Sequence, residues 1–137
     1  MSKPTGTVIE IAAGILRDTA GRLLLVRKQG TEAFMQPGGK LESGESPAFC
    51  LLRELREELA ICADIADLHS LGIFAAPAAN EAGMHVKAHL FLVHSQHEPE
   101  PQAEIEEVLW IDPEKLPAIR IAPLTATAVL PLVKTLT

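Results

Sequence analysis

Apolar and polar residues along this chain follow two rhythms, and the switch between them marks its organisation. Residues 7–16, TVIEIAAGIL, are β-branched and apolar and predict a strand. Arg17-Asp18-Thr19-Ala20-Gly21 reads as a turn, with residues 22–27, RLLLVR, as the partner strand. Residues 29–36 follow as a loop broken at Gly30. The rhythm then lengthens: Ala48, Leu51, Leu52, Leu55 and Leu59 recur at spacings of three and four, the apolar stripe of a helix. Period-two patterning returns with a strand around residues 68–75 and, after the loop PAANEAG (77–83), another over 84–94. In that last strand Val86, Ala88, Leu90 and Leu92 share one face and His85, Lys87 and His89 the other. Residues 94–102 read as an exposed loop and 104–112, EIEEVLWID, as a further strand entry. Asp112-Pro113 predicts a short helical turn ended before Pro117. Residues 121–136 predict a closing helix with Thr125 or an earlier residue near its cap. Pro131 weakens that helix, since an interior proline costs about 3 kcal/mol unless it marks a kink or break.

Strands flanking one long helix, with a second helix at the end, predict an α/β layered domain. The 137 residues suffice for a single domain with a real core, and no linker divides them. Hydrophobic residues at 47% exclude a disordered chain, and no apolar run reaches the ~18 residues of a membrane span. The opening MSKPTGTVIE lacks the apolar segment of a signal peptide, so the expected address is the cytoplasm. A net charge of −6 argues against a nucleic-acid-binding face, though not against a nucleotide whose phosphates are neutralised by a metal ion. Cys50 and Cys62 match no disulfide or metal spacing and read as ordinary thiols.

The chemistry concentrates in residues 39–61, GKLESGESPAFCLLRELREELAI. Pro37-Gly38-Gly39 punctuates a strand end and permits close approach of backbone to a ligand. Ser46 suits an N-cap and Pro47 the first helical position. Glu54, Glu57 and Glu58 stand at i, i+3 and i+4, so three like charges neighbour one another beside the apolar stripe. Arg53 and Arg56 would compensate them on an ordinary solvated helix. Divalent cations, which prefer hard oxygen ligands and often share them with substrate phosphates, are the other compensation.

The spacing of these residues resembles the Nudix box, G-x5-E-x7-R-E-U-x-E-E-x-G-U, where U is a bulky aliphatic. Gly39, Glu45, Arg53, Glu54, Leu55, Glu57, Glu58 and Ile61 fill eight of its nine specified positions. The final glycine is Ala60, which puts the geometry of the helix end in question rather than the ligands. The resemblance implies a Nudix-type α/β/α sandwich with a mixed β-sheet, the box forming a loop-helix-loop unit. It also implies a hydrolase cleaving a nucleoside diphosphate linked to another group, with Mg²⁺ as cofactor and Mn²⁺ as a substitute. Glu57 and Glu58 are then the principal metal ligands, Glu54 a further ligand or water activator, and the carbonyl of Gly38 or Gly39 another ligand. Arg53 orients the acids with Glu45 as its partner.

Other positions carry expectations beside plainer alternatives. A catalytic base outside the helix is expected among Glu104, Glu106 and Glu107, with Glu104 favoured, against a merely charged strand entry. Arg27, Lys28 and Lys40 are candidates to face phosphate, the first two against a solvated strand end. Phe34, Phe74 and Trp110 are candidates to stack a base, Phe74 first, against a core role for each. His85 and His89 are candidates to approach phosphate or metal, against a solvent-facing role. Chain length and the PGGK entry resemble MutT-type enzymes acting on a (d)NTP or an oxidised dNTP, releasing a monophosphate and pyrophosphate. Pro77, sixteen residues past the box, resembles a mark of ADP-ribose pyrophosphatases and keeps ADP-ribose or a nucleotide sugar as the alternative. A non-catalytic nucleotide-binding Nudix module is the third reading. The expected partners are small nucleotides rather than nucleic acid or membrane, and dimers are frequent in the family, so a homodimer is one expected assembly.

Overall fold

The computed structural model describes residues 7–95 and 97–136. Most of the N-terminal stretch read for a targeting signal therefore lies outside the described residues. Six strands form in two sheets: β1 (Val8–Ile15), β2 (Leu23–Lys28), β3 (Gly38–Lys40), β4 (Leu68–Pro77), β5 (His85–Val93) and β6 (Ile105–Ile111). Four of them make a mixed sheet in the order β3-β1-β5-β4, and β2 pairs antiparallel with β6 in a second, two-stranded sheet. The expected mixed sheet is present, with this pair standing apart from it. β1 and β5 run parallel with Ile11 opposite Ala88 and Ala13 opposite Leu90, while β3 runs antiparallel to β1 with Ala12 opposite Gly39.

Side-chain alternation along β1 builds two cores. Ala13 and Ile15 join Ala88, Leu90, Leu124, Val129 and Val133 on one side. Ala12 and Leu16 join Leu51, Leu55, Leu59, Phe91 and Val93 on the other. The second group is the stripe of α1 (Pro47–Leu59), whose bounds coincide with those expected from its cap and periodicity. The closing helical segment covers the first group, which gives three layers, helix on sheet on helix. Leu51, Leu55 and Leu59 are fully buried, so truncating any one to Ala should cost about 2–5 kcal/mol.

Two expectations change. The segment after Asp112 is an Asx-type turn rather than a helical one: the Glu114 N–H donates to Asp112 Oδ1 at 2.9 Å, and Asp112 bridges to Lys115. The closing helix does form, but its middle, Thr125–Val129, is a π-helix before α2 (Leu130–Val133). The cause is Pro131, which brings no N–H and crowds the carbonyl four residues back; the Leu130 N–H reaches instead to the Thr125 carbonyl, five residues back. Thr125 is thus interior to the helix, and an earlier residue, Ala122, accepts the first helical bond from Ala126 at 3.1 Å. β4 extends to Pro77, which an edge strand tolerates.

Candidate active site

Local sequence fixes α1 at both ends. The Ser46 hydroxyl accepts from the Phe49 N–H at 3.2 Å, and Pro47 occupies the first turn, where no N–H is needed. At the other end Ala60 adopts φ 56°, ψ 29°, a left-handed conformation. Its N–H donates to the Arg56 carbonyl at 3.1 Å and that of Ile61 to Leu55 at 3.2 Å, the paired bonds of a glycine-type helix stop. This position therefore does require φ > 0, and Ala holds it at a cost of about 1–2 kcal/mol. The stop turns the chain so that Ile61 is fully buried.

The acidic face of α1 lies against the backbone of β3. The Gly38 N–H donates to Glu58 Oε1 at 3.2 Å. A Cβ at Gly39 would overlap the Glu54 carboxylate, and one at Gly38, with φ 147°, would overlap the Ala12 carbonyl. Gly39 is needed for the strand to approach the acids, and Gly38 for it to approach β1. Arg53 ties the set together. Its Nε and one terminal nitrogen donate to the two Glu45 oxygens at 2.7 and 2.8 Å, a bidentate pair. The other terminal nitrogen donates to Glu54 at 3.0 Å and Glu57 at 3.2 Å, and a further bond reaches the Lys40 carbonyl at 3.2 Å.

Charges follow this geometry. The guanidinium pulls the Glu45 carboxyl down to about 2. Glu58 is only 3% exposed, and burial, reinforced by the neighbouring Glu54 charge, pushes it up to about 8. Glu54 is also raised, by burial first, against the pull of Arg53. Two crowded carboxyls, of which Arg53 reaches Glu54 and not the buried Glu58, are under-compensated, and a cation beside them would lower the energy.

Beside the acids opens a cleft of about 530 Å³. Gly38, Gly39, Lys40, Glu54, Lys28 and Glu104 are among the residues that line it. Lys40 Nζ stands 3.6 Å from Glu81, and Lys28 Nζ 3.5 Å from Glu104. Of the three base candidates, Glu104 lines the cleft, whereas Glu107 is paired with Arg27 at 2.9 Å.

Other expected contacts do not converge here. Arg27 lies outside the cleft lining: it bonds Glu107 and the Thr31 carbonyl and sits 5.9 Å over the Phe34 ring. Its neighbour Lys28, facing the opposite way along the strand, lines the cleft instead. Phe74 also lies outside the lining, because the pleat of β4 turns it onto the core beneath the closing helix. Phe34 is buried in that same core, and Trp110 packs on the core under α1. His89 bonds Glu10 at 2.6 Å, away from the cleft lining. Residues that the sequence reading passed over do line the cleft, Gln36 and Met35 among them. For Gln36 the available signal was its place immediately before Pro37-Gly38-Gly39.

Among the described residues, no three His, Cys, Asp or Glu side chains converge into a ready-made metal cage. Glu57, 55% exposed, is turned onto Arg53. The donor set nevertheless suits a hard divalent ion, which binds through one or two carboxylates and takes its remaining oxygens from water and substrate phosphate. Glu54 and Glu58 are the acids set against the β3 backbone, and Glu57 lies on the exposed side of the same helix.

Residues 9–131 match the NUDIX domain family. The chain belongs to this family. Its Nudix relatives include an 8-oxo-dGTP diphosphatase of Haemophilus influenzae, 32% identical over 87% of each chain. A CTP pyrophosphohydrolase of Escherichia coli is 31% identical over 85% of this chain and 84% of its own. The fold superposes with a TM-score of 0.74 on a MutT NUDIX hydrolase from Burkholderia pseudomallei, at 23% identity over 95% and 98% of the two chains. The chain is thus a MutT-like Nudix hydrolase acting on phosphoric anhydride bonds, of a kind that generally uses divalent metal ions. Among the described residues no helix is long and apolar enough to cross a membrane.

Proposed function

We propose that this Nudix hydrolase is a Mg²⁺-dependent pyrophosphohydrolase, accepting Mn²⁺ as a substitute, that converts a (d)NTP or oxidised dNTP into a monophosphate and pyrophosphate. One observation carries the reading: Glu54 lines a nucleotide-sized cleft together with Gly38 and Gly39 and crowds against the buried Glu58, which accepts from the Gly38 N–H. Relatives named for 8-oxo-dGTP and CTP, each covered over most of its length, support a nucleoside triphosphate as substrate.

Glu54, Glu57 and Glu58 would hold the metal, with the Gly39 carbonyl as a backbone ligand. When bound, such an ion supplies charge stabilisation at phosphoryl oxygens and a competent water nucleophile. The protein's own groups do the rest. Arg53 and Glu45 fix the orientation of the acids through the bidentate pair. Lys40 and Lys28 offer ammonium groups to the phosphates, each releasing a carboxylate partner to do so. The Gly38 N–H adds a backbone donor. Glu104 is exposed at the rim and receives the proton of the attacking water.

Product analysis tests this directly. Purified protein and Mg²⁺ would be incubated with (d)NTPs, oxidised dNTPs, ADP-ribose and nucleotide sugars. A monophosphate and pyrophosphate from a triphosphate is the expected result; no turnover of any triphosphate, with Mn²⁺ as well, would refute it. Joint Glu57→Gln and Glu58→Gln substitution should abolish turnover in a folded protein, which a non-catalytic binding module would not register. A second reading, ADP-ribose or a nucleotide sugar, is favoured by one feature: Pro77 lines the cleft with Ala78 and Asn80. AMP and ribose phosphate from ADP-ribose would establish that reading instead.

A further inference from the structure

Among the described residues, three polar side chains are buried: Glu58, Gln36 and Thr125. Glu58 belongs to the acid cluster, and the other two bond each other. Thr125 Oγ1 donates to Gln36 Oε1 at 2.9 Å, and Gln36 Nε2 donates to the Gly14 carbonyl at 3.1 Å. A carbonyl only accepts, so the Gly14 contact decides which end of the amide carries nitrogen. Thr125 holds the other end from within the π-helical segment, which exists because of Pro131. A primary amide has two N–H groups and two carbonyl lone pairs. These contacts use one of each and leave one donor on the nitrogen and one acceptor on the oxygen, whose positions the two contacts fix.

Gln36 lines the cleft, and its surroundings there are otherwise apolar: Ile9, Ile11, Met35, Val86, Ala122 and Leu124. Among the described residues no aromatic ring lines the cleft. A planar heterocycle entering such walls gains from apolar burial, but each polar edge atom it buries unpaired costs about 1–3 kcal/mol. We propose that Gln36 is the residue that selects the nucleobase, its amide, locked between Gly14 and Thr125, pairing with a base edge that presents an acceptor next to a donor. This rests on the nucleotide-hydrolase reading above and adds to it where discrimination among bases arises. Thr125 is a positioning residue: it touches the amide and not the base.

The test compares kcat/KM for dATP, dGTP, dCTP and dTTP in wild type, Gln36→Met, Thr125→Val and Thr125→Ser. The triphosphate is common to all four, so ratios between bases isolate recognition from phosphate chemistry. Wild type should favour one base, and Gln36→Met should shrink the ratio by about tenfold or more, the discrimination expected of a bidentate amide. Thr125→Val should shrink it less by freeing the amide to rotate, and Thr125→Ser, which keeps the hydroxyl, should restore it. Loss of packing alone would lower all four rates together and leave the ratios intact. Unchanged ratios in Gln36→Met and Thr125→Val, or a wild type indifferent to base, would overturn the inference while leaving the hydrolase reading standing. A wild type inert toward every nucleotide would remove both. If Gln36→Met fails to fold, the Thr125 pair decides.

Discussion

Glu45 and Glu58 are the same side chain in opposite circumstances, thirteen residues apart along one loop and helix. Glu45 meets Arg53 through two charge-assisted hydrogen bonds and ionises down to about 2. Glu58 is nearly sealed from water beside Glu54, has one backbone N–H for company, and stays protonated up to about 8. Arg53 can satisfy only so many oxygens: Glu45 takes its fork, while Glu54 and Glu57 share what remains. The comparison shows why an acidic helix face here is more than a solvated surface. Arg53 compensates the outer acids and part of Glu54, and Glu58 is left without a cationic side-chain hydrogen-bond partner among the described residues.

The largest expected effect is the most direct attack on that contrast. Glu58→Gln should lower kcat/KM by about 10³-fold, since the ion it helps hold is worth several kcal/mol to the reaction. Yet it should not destabilise the metal-free fold, because it removes a buried acid with little compensation. A metal-free Glu58→Gln protein that melts far below wild type would break the comparison. Arg53→Lys comes next. A point charge cannot reproduce the bidentate fork, so activity should fall about 10–100-fold by misorienting the acids. Steady-state kinetics at saturating Mg²⁺ checks it.

The pH dependence of stability sharpens the contrast further. Glu58 binds its proton more tightly folded than unfolded, so between its ordinary 4.5 and about 8 the folded state holds more protons. Stability contributed this way is full below about 4.5 and is lost as pH rises through about 8, and Glu54 acts in the same direction. Glu45 has the opposite sign: its contribution is present above 4.5 and lost as pH falls toward 2. In chelator, Tm should therefore decline from about pH 5 to pH 8, and Glu58→Gln should flatten the decline. Glu57→Gln, on the exposed side, should leave it in place. Smallest is Ala60→Gly, which relieves the left-handed strain and should raise stability by about 1 kcal/mol, a few degrees in Tm, without altering the pH profile. Thermal melts of both proteins across pH check this.

What was legible in the sequence was what is decided locally. Ser46, Pro47 and the leucine stripe fix α1 without reference to the rest of the chain, and its bounds matched. The Arg53–Glu45 partnership was legible through the resemblance to the Nudix box, and the bidentate pair is present. Contacts settled between distant segments were not. The pairing of β2 with β6 holds Arg27 on Glu107, and Lys28 rather than Arg27 lines the cleft. The pleat of an edge strand sends Phe74 into the core. The π-helical segment could be suspected from Pro131, but not its outcome, which is to leave Thr125 buried against Gln36. Ala60 shows the converse: the sequence posed the question of φ > 0, and only the helix end answered it.

The central claim, that the inner pair awaits a cation shared with substrate phosphate, is tested most directly by calorimetric titration of Mn²⁺ in the presence of a non-hydrolysable nucleoside triphosphate analogue. Wild type should bind the ion, and Glu58→Gln should bind it at least about tenfold more weakly. Equal affinity in the two proteins would contradict the account and return Glu58 to the role of a buried structural acid.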